Sequence, residues 1–141
     1  MQWDDSPNAG FTTPEVTPWL PLADDYRQRN VAAQEDDAAS MLSLFRALTA
    51  LRRAEPALNR GEYEGVELGM PDVLAYRRTA AGSDGYLIVL NFGNTEQRLS
   101  LSELDSLAGQ LVLSTDSGRA AVAVQGTFAL APNEGAIIRL E

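Results

Sequence analysis

Met1-Gln2-Trp3-Asp4-Asp5-Ser6-Pro7-Asn8-Ala9-Gly10-Phe11, completed by Pro18-Trp19-Leu20-Pro21, is the stretch from which the rest of the chain can be read. Two tryptophans and a phenylalanine stand among Pro, Gly and acidic residues with neither a helical nor a strand period. That describes an ordered loop packed onto something large. Four prolines (Pro7, Pro14, Pro18, Pro21) fall within the first 21 residues and keep the region irregular. Long irregular stretches in compact proteins are functional loops or linkers, and the aromatic content decides between them. Linkers are polar, whereas Trp3, Phe11, Trp19 and Tyr26 bury large apolar areas once given a partner surface.

Beyond this loop the pattern becomes helical. Glu35, Asp36 and Asp37 place negative charge where a helix macrodipole favours it, with Asp36 or Asp37 as the N-cap. Met41, Leu44, Phe45, Leu48 and Leu51 recur at spacings of three and four, drawing one apolar stripe. Arg46, Arg52 and Arg53 load the C-terminal half, and Pro56 stops it. The pattern predicts a helix from about Asp37 to Ala54.

After Leu58 the period changes to alternation. A first strand is expected around Tyr63, Val66 and Leu68, with Gly65 marking a bulge or bend, and a second over Val73 to Thr79. Tyr86 to Leu90 is continuously apolar, which marks a central strand buried on both faces. Gln97 to Leu101, Gln110 to Ser114, Val122 to Ala131 and Ala136 to Leu140 complete the set, with a loop or short helical turn over Ser102 to Leu107. Seven short strands punctuated by turn signals predict an antiparallel sandwich or Greek-key barrel. Its expected core is Leu74, Tyr76, Leu87, Val89, Leu111, Leu113, Phe128, Leu130 and Ile138.

Composition narrows the chemistry. The chain has 141 residues, 45% of them hydrophobic, enough for one core with an appendage. There is no Cys and no His, which removes disulfides, thiolate chemistry, the Ser-His-Asp triad and the commonest metal ligand. All eleven basic residues are Arg, so Schiff-base lysines and P-loops are absent. A net charge of −9 argues against nucleic-acid binding. No run is apolar enough to span a membrane, and the N-terminus does not have the form of a signal peptide. No cofactor and no metal are expected.

Asp4-Asp5 and Glu35-Asp36-Asp37 are acidic clusters, but a glycosidase needs two carboxylates facing each other across the scissile bond, and adjacent residues cannot do that. They are expected to be solvated turns and helix caps. Trp3 and Trp19 are either buried loop anchors or flat platforms for a sugar ring. Asn91-Phe92 and Arg77-Arg78 are read as a strand end entering a turn and as arginines on an exposed face. Tyr63, Tyr76, Tyr86, Phe92 and Phe128 are mostly claimed by the core, which leaves no row of aromatics for carbohydrate binding.

The blocks Met-Gln-Trp-Asp, Asn-Ala-Gly-Phe, Pro-Trp-Leu-Pro, Asn30-Val31-Ala32-Ala33-Gln34, and Leu51-Arg52-Arg53 with Pro56-Ala57-Leu58 together resemble the α-glucosidase and oligo-1,6-glucosidase branch of the α-amylase superfamily. The resemblance is strong over residues 1–58 and looser afterwards. It implies an α+β fragment: residues 1–58 as the irregular loop and last helix of a (β/α)8 barrel, and residues 59–141 as a C-terminal Greek-key β-sandwich. It further implies a parent enzyme that hydrolyses α-glucosidic bonds of short oligosaccharides with retention, using an Asp nucleophile, a Glu acid/base and a further Asp, none of whose motifs is present here. Trehalose synthases, isomerases, sucrose-acting enzymes and a non-catalytic transporter-associated branch share similar C-terminal regions. The resemblance places Gln2, Trp3 and Asp4 near the substrate, at the mouth of the barrel, with no catalytic residue in this chain. Its expected partners are an upstream catalytic barrel, an oligosaccharide reached through it, and a second copy met through the exposed apolar helix face. The expected location is cytoplasmic. The alternative is a free-standing β-sandwich serving as a carbohydrate-binding or interaction module.

Overall fold

The apolar run after Gly85 forms β3 (Tyr86–Asn91), and its burial shows why it is apolar throughout: Leu87 and Val89 are fully buried on one face, Tyr86 and Ile88 nearly so on the other. A computed structural model describes residues 1–101, 108–119 and 121–141. It falls into two units, Met1–Ala47 and Leu48–Glu141. The turn or loop expected over Ser102 to Leu107 lies outside the described residues.

In the second unit, β3 pairs antiparallel with β2 (Val73–Thr79) and with β8 (Gly135–Leu140). With β1 (Glu62–Val66), β5 (Ala108–Ser114) and β6 (Ala123–Gln125) they form a six-stranded sheet in the order β1-β2-β3-β8-β5-β6. A two-stranded antiparallel sheet is made by β4 (Gln97–Ser100) and β7 (Thr127–Leu130). One core joins the two sheets: Ala75, Leu87, Val89, Leu111, Ala136 and Ile138 from the larger meet Leu99, Phe128 and Leu130 from the smaller. Each large side chain so buried contributes roughly 1.5–3 kcal/mol. The opposite face of the large sheet receives a short helix, α3 (Pro56–Arg60), through Ala57 and Leu58 packed with Tyr86 and Ile88.

Several sequence expectations are corrected here. The strand expected over Val122 to Ala131 is two strands in different sheets, because Gly126 takes φ +66°, a left-handed conformation that turns the chain out of one sheet and into the other. The described residues therefore hold eight strands and not seven. β1 ends at Val66, leaving Leu68 outside the strand, and its register with β2 runs unbroken through Gly65 opposite Tyr76. The bulge lies instead in β5, between Leu111 and Leu113. Of the expected core, Leu74 is 44% exposed and Tyr76 and Leu113 are only partly buried. Alternation along β2 turns the small Ala75 toward the shared core and Leu74 away from it. Tyr63 and Phe92, also assigned inward, are exposed.

The helix differs at its start. α2 (Met41–Ala54) begins four residues later than expected, behind a separate short helix, α1 (Val31–Glu35). Ser40 caps α2: its hydroxyl accepts the Ser43 N–H at 3.1 Å and donates to the Gln34 carbonyl at 2.7 Å. Asp36 terminates α1, and Asp37 holds a turn by accepting the Ala39 N–H at 2.8 Å. Pro56 does end α2, and it also opens α3, where its missing N–H costs nothing at the first helical position.

Candidate functional site

Asn30 is the residue on which the N-terminal loop is built. It is buried, its side-chain oxygen accepts the Ala33 N–H at 2.8 Å, and its amide donates to the Tyr26 carbonyl at 2.8 Å. The first N–H groups of a helix lack internal partners. Here the Val31 N–H donates to the Gln2 carbonyl at 2.8 Å and the Ala32 N–H to the Trp3 carbonyl at 2.9 Å. A five-residue helix is thereby tied to the segment that carries the sequence-predicted site.

That segment closes on itself. The Trp3 N–H donates to the Ala9 carbonyl at 3.0 Å, and the Asp4 carboxylate accepts both the Ser6 N–H and the Ser6 hydroxyl. Asn8, Ala9 and Gly10 follow one another at φ 60°, 53° and 72°. A side chain at position 10 would meet Asp4 Oδ2 at 2.9 Å and Trp3 Cβ at 3.0 Å, so only glycine lets the turn pass so close. The Asn8 amide then donates to the carbonyls of Thr13 and Val16, each at 2.8 Å, and pins the next turn of the loop.

Around this frame lies a concavity of about 590 Å³ whose lining includes Met1, Gln2, Phe11, Val16, Trp19 and Leu20. Of the three substrate-proximal candidates, Gln2 lines it, whereas Trp3 and Asp4 do not. Trp3 is 56% exposed and Trp19 91% exposed, so neither indole is a buried anchor within this chain. Asp4 is occupied in holding the loop, a structural task for which a paired catalytic carboxylate is unsuited. The cluster Glu35-Asp36-Asp37 is exposed, and Glu35 pairs with Arg46 at 2.9 Å.

The other motifs resolve as structure. Asn91 is buried at the end of β3, where its amide donates to the carbonyls of Thr95 and Ala131 and its oxygen accepts the Gly93 N–H. Arg78 is not simply a surface arginine: it donates to the carbonyls of Ala57 and Gly61, holding the C-terminal end of α3. Sequence reasoning missed the buried Glu134, which pairs with Arg119 across fifteen positions. A carboxylate inside the turn Pro132-Asn133-Glu134-Gly135 was the one available signal.

With this geometry in place, comparison with known proteins is informative. Residues 1–61 match the family model of the α-amylase catalytic domain. Maltase A1 of Drosophila melanogaster is 40% identical over 116 residues, 82% of this chain and 20% of the relative. The amino acid transporter heavy chain SLC3A1 of Mus musculus is 39% identical over 107 residues, 75% of this chain and 15% of the relative. The crystal structure of the trehalulose synthase MutB from Pseudomonas mesoacidophila MX-45 superposes with a TM-score of 0.83 at 31% identity, over 99% of this chain and 24% of that one. The chain thus spans between 15% and 24% of the length of these proteins.

Proposed function

The chain belongs to the α-amylase family of glycoside hydrolases, among the α-glucosidases, and from that kinship we propose that it is the C-terminal part of a retaining α-glucosidase-like enzyme acting on short oligosaccharides. Residues 1–141 are then the structural, non-catalytic portion. The observation that carries this reading is the state of the N-terminal loop. Its backbone is tied down at Ala9, Asn30 and α1, yet it holds Trp19 and Trp3 out in solvent. A loop ordered at this entropic cost, with its aromatics outward, suits one wall of a larger structure.

In that arrangement the upstream barrel supplies the two carboxylates that flank the scissile bond, which a retaining mechanism places about 5–5.5 Å apart. Gln2, Trp3 and Asp4 lie near the substrate: Asp4 fixes the loop, and Gln2 lines the concavity beside it. The two sheets of the second unit, sharing one core, are read as a Greek-key sandwich. The whole protein is expected in the cytoplasm.

A second reading is favoured by the kinship to a protein named as an amino acid transporter heavy chain. There the whole protein would assemble with a partner and hydrolyse nothing. The coding sequence upstream of residue 1 separates the two. A continuing reading frame with an Asp nucleophile and a Glu acid/base supports the enzyme, a frame lacking them supports the assembly role, and a stop codon with a ribosome-binding site sinks both. The 141-residue chain alone is expected to show no turnover of maltose or a chromogenic α-glucoside. Turnover abolished by replacing one of its carboxylates would overturn the non-catalytic assignment.

A further inference from the structure

An antiparallel sheet with one face in water alternates apolar and polar residues. The six-stranded sheet does not. On the face turned away from the shared core, Tyr76, Leu90 and Ile137 are half-buried around Tyr86 and Ile88. The same face continues outward: Leu74 is paired with Leu90, and Tyr63 stacks its ring 5.1 Å from that of Tyr76. Tyr63 is 61% exposed, Leu74 44%, and Phe92, two residues beyond Leu90, 68%. Exposed apolar surface of this continuity marks an interaction site.

What occupies the covered part of the face identifies the partner. It is α3, clasped there by Arg78, and α3 lies inside residues 1–61, the stretch that matches the α-amylase catalytic domain. The last matched segment of that domain therefore already sits on this sheet. We propose that the exposed remainder, Tyr63, Leu74 and Phe92, is the seat for the rest of the catalytic domain, whose outer layer in a (β/α)8 barrel is helical and offers apolar ridges. This rests on the reading above and adds to it the face and the residues through which the β-domain docks.

Because the chain has no cysteine, single thiols report the contact cleanly. Tyr63→Cys and Phe92→Cys would be made in the 141-residue chain, with Arg98→Cys on the exposed side of β4 as control, and maleimide labelling rates measured with and without the polypeptide encoded upstream. The expected result is co-elution of the two polypeptides, labelling at least tenfold slower at positions 63 and 92, and no change at position 98. Co-elution with unslowed labelling at 63 and 92 overturns this docking face while leaving the family reading intact. Slowing that grows with the concentration of the chain itself, without the upstream polypeptide, assigns the face to a second copy and overturns the proposal. Failure to co-elute overturns both readings.

Discussion

Arg119 places its Nη1 2.8 Å from both carboxylate oxygens of Glu134 and its guanidinium 4.2 Å from the ring of Phe128. Glu134 is 3% exposed, and it also accepts the Ser114 hydroxyl at 2.6 Å and the Ala131 N–H at 2.8 Å. One carboxylate thereby joins the end of β5, the chain leaving β7 and the turn into β8. A buried carboxylate survives only when its charge and lone pairs are met.

Arg119→Ala should therefore cost about 3 kcal/mol, because it leaves the buried charge with neutral donors alone. Arg119→Met keeps the packing over Phe128 and should cost nearly as much, since the charge is what matters. Urea unfolding followed by circular dichroism checks this. If both variants stay within a few tenths of a kcal/mol of wild type, the network is decorative.

Alkaline pH should find a second weak point. Burial pushes the Tyr86 hydroxyl from 10.0 up to about 12, aided by its hydrogen bond to Glu55 and the negative charge of Asp84. A raised tyrosine pKa means that the folded state keeps its proton while the unfolded chain loses it. The contribution is intact below pH 10 and is lost between pH 10 and about 12, as the unfolded state gains from ionising. Across that window the loss amounts to roughly 2–3 kcal/mol. Tyr86→Phe should flatten the fall in stability there, and an unchanged slope would show that Tyr86 does not control it.

Val89 and Leu74 should respond oppositely to the same change. Val89→Asp puts an unpaired charge in the fully buried centre of β3 and should prevent folding, whereas Leu74→Asp on the exposed face should leave the melting temperature of the isolated chain within a few degrees of wild type. Thermal melts of the two variants decide it. A wild-type melt for Val89→Asp would refute the central-strand assignment.

That contrast also shows how far the sequence could be read. A continuous apolar run has only one home in a sheet, so β3 and its core residues Leu87 and Val89 were legible. Along β2 both faces carry apolar side chains, and alternation alone could not tell whether Leu74 or Ala75 faced the core. Gly126 was one glycine among eleven, and nothing local distinguished a turn between sheets from a bulge within one. In the candidate site the aromatic loop was legible from composition. The roles within it were not: Asn30 and Ser40 act through contacts with backbone three to six residues away, and Asp4 proved to be a loop fastener.

Asn8 should control how firmly that loop is held. Asn8→Ala deletes both amide bonds, to Thr13 and Val16, and leaves a methyl-bearing residue at φ 60°, where it is strained. Asn8→Gly deletes the bonds without the strain. Amide hydrogen exchange across residues 11–19 should accelerate in both variants, while the strands of the second unit stay protected. Unchanged exchange would mean that the loop is held by other contacts.

The isolated chain should self-associate as its concentration rises. Trp19 and Met41 are largely exposed, and Leu20 and Phe11 are at least half so. Burying one large apolar side chain is worth roughly 1.5–3 kcal/mol, so covering several against a second copy offsets much of the entropy of association. A net charge of −9 opposes this at long range, and salt screens it within about 10 Å at 0.1 M. Sedimentation velocity should therefore show a monomer at low concentration and low salt, and larger species as either is raised. Trp19→Ser with Met41→Gln should shift the equilibrium back toward monomer. A strict monomer at every concentration and salt, with uniform exchange protection along the chain, would show that these side chains find cover within the 141 residues and would favour the free-standing module.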